Sequence, residues 1–255
     1  MNRILKYVIV DIVKNKIVLA YAIILALFSW STFSLEDNAS KGLLTLLNII
    51  LLTVPLVAIL FSTIYIYKSS EFIELLVSHP IKRSKIWWSL FAGLASSLAI
   101  AFIVGAGIPI LIYVDFLKAF MMLSVGILIT IIFVAIAFLS SILCRDKAKG
   151  IGVSILLWLY FALLFDGVVL FLMFQFSDYP IEKIMVGITA LSPIDLSRIL
   201  ILLQLDVSAM MGYTGAIFKD FFGTSIGLVI SFTLLILWIV VPFSISLIKF
   251  KRKDL

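Results

Sequence analysis

The chain has 255 residues, of which 64% are hydrophobic and 13% charged, with a mean hydropathy of +1.26. A soluble domain carries roughly 45–50% apolar and about 25% charged residues, so there is too little polar material here to coat a water-facing surface. The net charge of +6 and pI near 9.4 come in small packets between apolar runs, a topology signal that argues against a basic face for nucleic acid.

Residues 1–16 place Ile4, Leu5, Val8, Ile9, Ile12 and Val13 at helical spacing, with Arg3, Lys6, Asp11 and Lys14 elsewhere on the turn. That pattern predicts an amphipathic interfacial helix leading into a first span that stays uncleaved. Six stretches are long and apolar enough to cross a bilayer: Ile17–Leu35, Gly42–Tyr67, Ile86–Val114, Phe120–Cys144, Ile151–Phe176 and Gly223–Ile248. The expected fold is therefore all-α, a single polytopic membrane domain over residues 1–255. Gly93 and Ser97, four apart, suit close helix contact, and Gly105, Gly107 and Pro109 predict a kink in span three.

Between spans two and three, residues 68–85 form a structured connection. Ser70 is placed to cap a short helix with Glu71 and Glu74 near its start, and Pro80 ends it. Phe72, Leu75 and Leu76 make one apolar stripe. A two-turn helix is marginal alone, so the stripe needs a partner, and the acidic turn favours protein over anionic lipid. His79, the single histidine, reads as an ordinary polar loop residue.

Residues 177–222 are too long for a structureless loop. Pro180 opens one helical pattern and Ser192-Pro193-Ile194-Asp195 opens another, running to Leu205; the second is too short to span and suggests a re-entrant or interfacial helix. Asp206 begins a looser, glycine-punctuated stretch containing Met210 and Met211.

Of the 20 Lys and Arg, fifteen fall in the two tails and in the loops after spans two and four; the remaining five are Lys41, Lys118, Lys183, Arg198 and Lys219. The positive-inside rule then puts both termini and residues 68–85 in the cytoplasm, and residues 177–222 outside.

Asp166 is the ionisable residue within the spans. A charge there costs upward of roughly 2.5 kcal/mol, and no Lys or Arg falls at matching depth within the spans. Asp166 is left to be neutral, to face water or a second copy, or to bond to a group such as Asn48. A functional role and a structural hydrogen bond are both open. Methionines 121, 122, 173, 185, 210 and 211 raise a thioether copper path, but flexible packing accounts for most of them; the Met210-Met211 pair is the exception.

The chain has no phosphate-binding loop of the G-x-x-x-x-G-K-[ST] kind, one histidine, and the lone cysteine Cys144. No catalytic, cofactor or metal site is expected in it, and energy from ATP has to come through another polypeptide.

The order of elements resembles the membrane subunit of ABC-2 type (type V) exporters, and Glu71-Phe72-Ile73-Glu74-Leu75-Leu76-Val77-Ser78-His79-Pro80 resembles that family's coupling loop. The stretch from Ser192 to Arg198, continued to Phe218, is similar to the permease type of nitrous oxide reductase maturation transporters. The resemblance implies a homodimer in a bacterial inner membrane, bound to two copies of a cytoplasmic ATPase that holds ATP and Mg, and to a periplasmic β-helix protein. It also implies service to copper-centre assembly in a periplasmic enzyme, with a copper chaperone and nitrous oxide reductase as further partners and lipid around the spans. Glu71, Phe72, Glu74, Leu75, Leu76, His79 and Pro80 would meet the ATPase. Pro193, Asp195, Arg198, Asp206, Met210 and Met211 would form an external gate or partner surface. The alternative within the same family is an exporter of a lipid, peptide or drug.

Overall fold

The structure is a computed structural model that describes residues 2–36, 38–176, 187–204 and 224–252; the helical pattern at Pro180, and Asp206, Met210 and Met211, lie outside them. Among the described residues there are helices and turns and no strand. Six helices among the described residues are long and apolar enough to cross a membrane: Lys16–Leu35, Ala39–Lys68, Arg83–Tyr113, Phe116–Leu143, Lys147–Leu172 and Ile226–Arg252.

The N-terminal helix α1 (Asn2–Val13) presents the expected apolar face, but turns it onto protein: Val8 and Ile12 are fully buried, and α1 lies along α5 (Arg83–Phe102). Gly93 permits this approach. A Cβ there would sit 2.5 Å from Val8 Cγ1 and 3.0 Å from Val8 Cβ, and a β-branched side chain is stiff at χ1.

Helix α2 (Lys16–Leu35) follows directly, with the Asn15 carboxamide accepting from the Ile17 amide at 2.9 Å. Asn38 does the same for α3 (Ala39–Lys68) by accepting from the Ser40 amide. These caps satisfy amides that have no partner inside the helix.

Span three is a composite. After α5, residues Ile103–Gly107 form a π-helical turn, followed by α6 (Ile108–Tyr113). The ladder steps to an i→i−5 bond, Ile108 N–H to Ile103 C=O, just before Pro109, which has no amide hydrogen to donate. A π-helical turn stands at the position where Gly105, Gly107 and Pro109 predict a kink. Gly105 lets the bulge press on α2, since a Cβ would lie 2.7 Å from the Ala22 carbonyl oxygen.

Helix α7 (Phe116–Leu143) is the hub, in contact with α3, α5, α8 (Lys147–Leu159), α10 (Pro193–Gln204) and α11 (Ser225–Arg252). Within its most apolar stretch 67% of residues are buried by protein, against 17% for span five, which makes α7 central and span five peripheral. Span five runs through α8 (Lys147–Leu159), a second π-helical turn at Tyr160–Leu164, and α9 (Phe165–Gln175). Helix α10 (Pro193–Gln204) is inserted before the last span, α11 (Ser225–Arg252).

Polar groups in the bundle bond internally. Ser154 on α8 meets Thr63 of α3 at 2.8 Å and Ser140 of α7 at 3.0 Å. The indole of Trp87 on α5 donates to Ser246 Oγ of α11 at 2.7 Å, while its ring stacks on Phe250 and stands edge-on to Phe138. Thr130, Ser231 and Thr233 bond back to carbonyls four residues earlier, as hydroxyls in membrane helices do.

Overpacking a close contact typically costs about 1–3 kcal/mol, so Gly93→Leu is expected to lower the thermal unfolding midpoint in detergent and to expose α1 to proteolysis. Gly152→Ala is the control: a Cβ there meets nothing within 4 Å, and the midpoint should hold or rise slightly, because alanine favours helix over glycine.

Candidate functional site

The first candidate element is α4 (Ser70–Ser78), joined to α3 through Ser69 and packed on α5. Ser69, not Ser70, occupies the N-cap position, and it makes no side-chain cap bond. The helix ends where Pro80 requires: His79 is extended at φ −85° and ψ 158°, the conformation favoured before proline. His79 Nδ1 and Ser78 Oγ both lie within hydrogen-bond distance of the Leu75 carbonyl, at 2.9 and 2.8 Å. His79 thus closes the helix C-terminus, where free carbonyls accumulate.

The apolar stripe expected from Phe72, Leu75 and Leu76 is divided differently in the fold. Ile73 is the buried anchor. Leu76 and Val77 are half-buried against the core, and Phe72 packs on Tyr7 of α1 with ring centroids 5.4 Å apart. Leu75 remains, 58% exposed, beside the exposed Glu71 and Glu74. Spacing alone hid Ile73, because a nine-residue helix offers two overlapping i, i+3, i+4 readings. The free face of α4 is therefore one leucine framed by two carboxylates.

Helix α1 holds this element from behind. Tyr65 near the end of α3 donates its hydroxyl to Asp11 of α1 at 3.0 Å. Together with the Tyr7–Phe72 contact, this ties α1, α3 and α4 into one corner.

The second candidate element is at α10. Ser192 caps this helix: its carbonyl accepts from Leu196 N–H at 3.1 Å and its hydroxyl from Asp195 N–H at 3.2 Å. Pro193 takes the first helical position, where its missing amide hydrogen is no loss. At 12 residues α10 is too short to cross a bilayer, and protein surrounds it. Ile194, Leu196, Ser197, Leu200 and Ile201 are buried, against α7, α11, α3 and the π-helical turn of span five.

This burial overturns the expectation that Asp166 lacks a cation at its depth. Arg198 Nη1 donates to Asp166 Oδ2 at 2.8 Å and lies 3.4 Å from Asp195 Oδ1. Asn48 is exposed on α3 and makes no bond to Asp166. Counting Arg198 as a loop residue concealed the pair; the Asp195–Arg198 spacing of one helical turn was the available signal. Asp166 itself lies two positions after the end of the Tyr160–Leu164 π-turn, which no proline or glycine within it causes.

Two carboxylates share one guanidinium here. Burial first, and then the adjacent Asp166, push the Asp195 carboxyl above the usual carboxylate range. As a carboxylate Asp195 leaves Oδ2 buried without a donor; holding a proton, it can donate to Asp166. The cluster then sums to zero charge, the form that a low-dielectric site favours. Arg198 Nε and Ser197 Oγ remain buried without a hydrogen-bond partner.

A hydrogen bond to a charged group contributes about 1.5–3 kcal/mol. Asp166→Asn and Arg198→Gln should therefore each lower stability in detergent by an amount of that order. The double variant should lose less than the sum of the two, by about 1 kcal/mol or more in a thermal or denaturant cycle. Strict additivity would show that the pair is not coupled.

Comparison with known proteins agrees with the helical layout. A family model described as ABC-2 family transporter protein matches residues 4–255. The chain is also similar to a Pseudomonas aeruginosa protein named "Probable ABC transporter permease protein NosY", with 27% identity over 170 residues. The match covers 62% of this chain and 62% of that protein's length. With six membrane-length helices among the described residues and a family match over residues 4–255, this chain belongs to the ABC-2 transporter family, as a membrane permease subunit.

Proposed function

We propose that this chain is the transmembrane subunit through which a separate cytoplasmic ATPase drives copper-centre maturation of a periplasmic nitrous oxide reductase. The observation that carries the coupling half is the free face of α4, with Leu75 exposed between Glu71 and Glu74 on a helix anchored by Ile73 and braced by Tyr7. A small acidic knob with a rigid back suits a cleft on a partner protein. Glu71 and Glu74 would pair with basic residues of the ATPase while Leu75 fills an apolar recess. Closure of two ATPase copies around ATP and Mg would push on α4, and with it on α3 and α5, which flank it directly.

The maturation half is supported by the likeness to the NosY-named permease and by the resemblance carried by Ser192–Arg198. In this reading α10 is re-entrant from the periplasmic side. Its ion pair to Asp166 would join the external segment, including Asp206, Met210 and Met211, to span five, so that movement of the spans reaches a periplasmic β-helix partner. The outer face of span five, with little of it covered by this chain, would meet a second copy or lipid. Copper chaperone and reductase would act downstream, in a bacterial inner membrane with both termini cytoplasmic.

The test is co-purification of the chain with its ATPase. Truncating or charging a central anchor typically costs at least about 2 kcal/mol of binding, so Leu75→Asp and Glu71→Lys/Glu74→Lys should each weaken retention of the ATPase about 30-fold. Full retention with unchanged ATP turnover would refute the assignment of α4. For the cargo, Arg198→Glu should yield reductase lacking its copper centres. Sensitivity to a lipid, peptide or drug with normal reductase would favour the exporter alternative.

A further inference from the structure

At the cation-rich end of the bundle, helices α7 and α11 enclose a second feature, independent of the ATPase reading. A cavity of about 520 Å³ lies between the end of α7 and the last turns of α11. Its walls are Ile142, Leu143, Ile245 and Ile248, and its rim is Arg145, Lys249 and Arg252.

The sequence builds this site from both sides. On α11, Ile245, Ile248, Lys249 and Arg252 recur at i, i+3, i+4 and i+7, so they share one helix face. That face changes from apolar to basic within a single turn. On α7 the helix ends at Leu143, Cys144 caps it, and Arg145 follows. The two helices therefore switch from grease to cation at the same end of the bundle. Leu143, Ile245 and Ile248 are between 41% and 54% exposed, so the apolar walls are open, on two helices long and apolar enough to span a membrane.

No acidic residue lines the cavity, and none of the three cations takes part in an ion pair among the described residues. Soluble phosphate would engage the rim and leave the walls unused. An acidic protein surface would likewise pair with the rim and leave the apolar walls without a partner. The ligand that satisfies both zones has a negatively charged head and a hydrocarbon chain.

We propose that this groove is a binding site for an anionic phospholipid, with its phosphate held among Arg145, Lys249 and Arg252 and one acyl chain along Ile142, Leu143, Ile245 and Ile248. Arg145 also lines a neighbouring cavity of about 490 Å³ that extends to Glu74 of α4. Arg145 thus borders both the groove and a cavity that reaches the acidic knob.

The experiment uses the full chain in mild detergent, titrated with phosphatidylglycerol, with phosphatidylethanolamine of the same acyl chains, and with inorganic phosphate, and read by native mass spectrometry. Phosphatidylglycerol should be retained over phosphatidylethanolamine. Retention should fall about tenfold or more in Arg145→Gln/Lys249→Gln/Arg252→Gln. It should be unchanged in Lys41→Gln/Lys118→Gln, which removes cations from the other end. Ile248→Trp, which fills the groove and keeps all three cations, should also lose the lipid, and it keeps the test decisive should the triple variant fold poorly. Equal retention of the two lipids, wild-type retention by both groove variants, or displacement of phosphatidylglycerol by millimolar phosphate would overturn the assignment.

Discussion

Inside hydrocarbon every polar group must find its partner within the protein, and that constraint orders this molecule. It explains why serine and threonine hydroxyls bond back to their own helices, and why Ser154 sits where three helices meet. It also explains the most consequential arrangement in the fold. A lone carboxylate at Asp166 would be costly. The chain answers by bringing a short helix into the bundle that carries both the cation Arg198 and a second acid, Asp195. Among the described residues the hydroxyls of Ser29, Ser62, Ser97 and Ser197 escape the rule, buried without a bonded partner, and the packing around them gives no account of why.

The same constraint separates the two ends of the bundle by chemistry. At one end charges are exposed and face outward: the α4 carboxylates, and the cations of the α7–α8 turn and of α11. At the other end the guanidinium of Arg198 is shared by Asp166 and Asp195. Such a cluster holds α10 against span five. The hub helix α7 touches both regions, while span five, peripheral and interrupted by a π-turn beside Asp166, is the span least held by its neighbours.

Much of this was legible in the sequence, for physical reasons that differ by element. The six spans follow from length and hydropathy, since nothing else accounts for runs of about 20 apolar residues. Helices α1 and α4 follow from periodicity and from Pro80. Periodicity identifies a face but not its neighbour, so α1 reads as a lipid-facing helix although Val8 packs into the gap left by Gly93. On α4 the buried residue is Ile73, a choice settled by where α5 lies, which no local pattern states. Arg198 was the largest miss. Charge counting assigns it to a loop, yet in the fold it is the partner of a span residue 32 positions away. The hydroxyl network and the second π-turn leave no local signature: each depends on what another helix brings to it.

Under the proposed function, energy enters at the α4 end, on the cytoplasmic face, and is received at the opposite end. Its most direct test is sidedness. In a Cys144→Ser background, single cysteines at Ser78 beside the α4 C-terminus and at Asp115 between spans three and four would be probed with a membrane-impermeant thiol reagent on intact cells. The account predicts labelling at position 115 from outside, and at position 78 after the membrane is opened. Labelling of position 78 on intact cells would place α4 beyond the reach of any cytoplasmic ATPase and contradict the account.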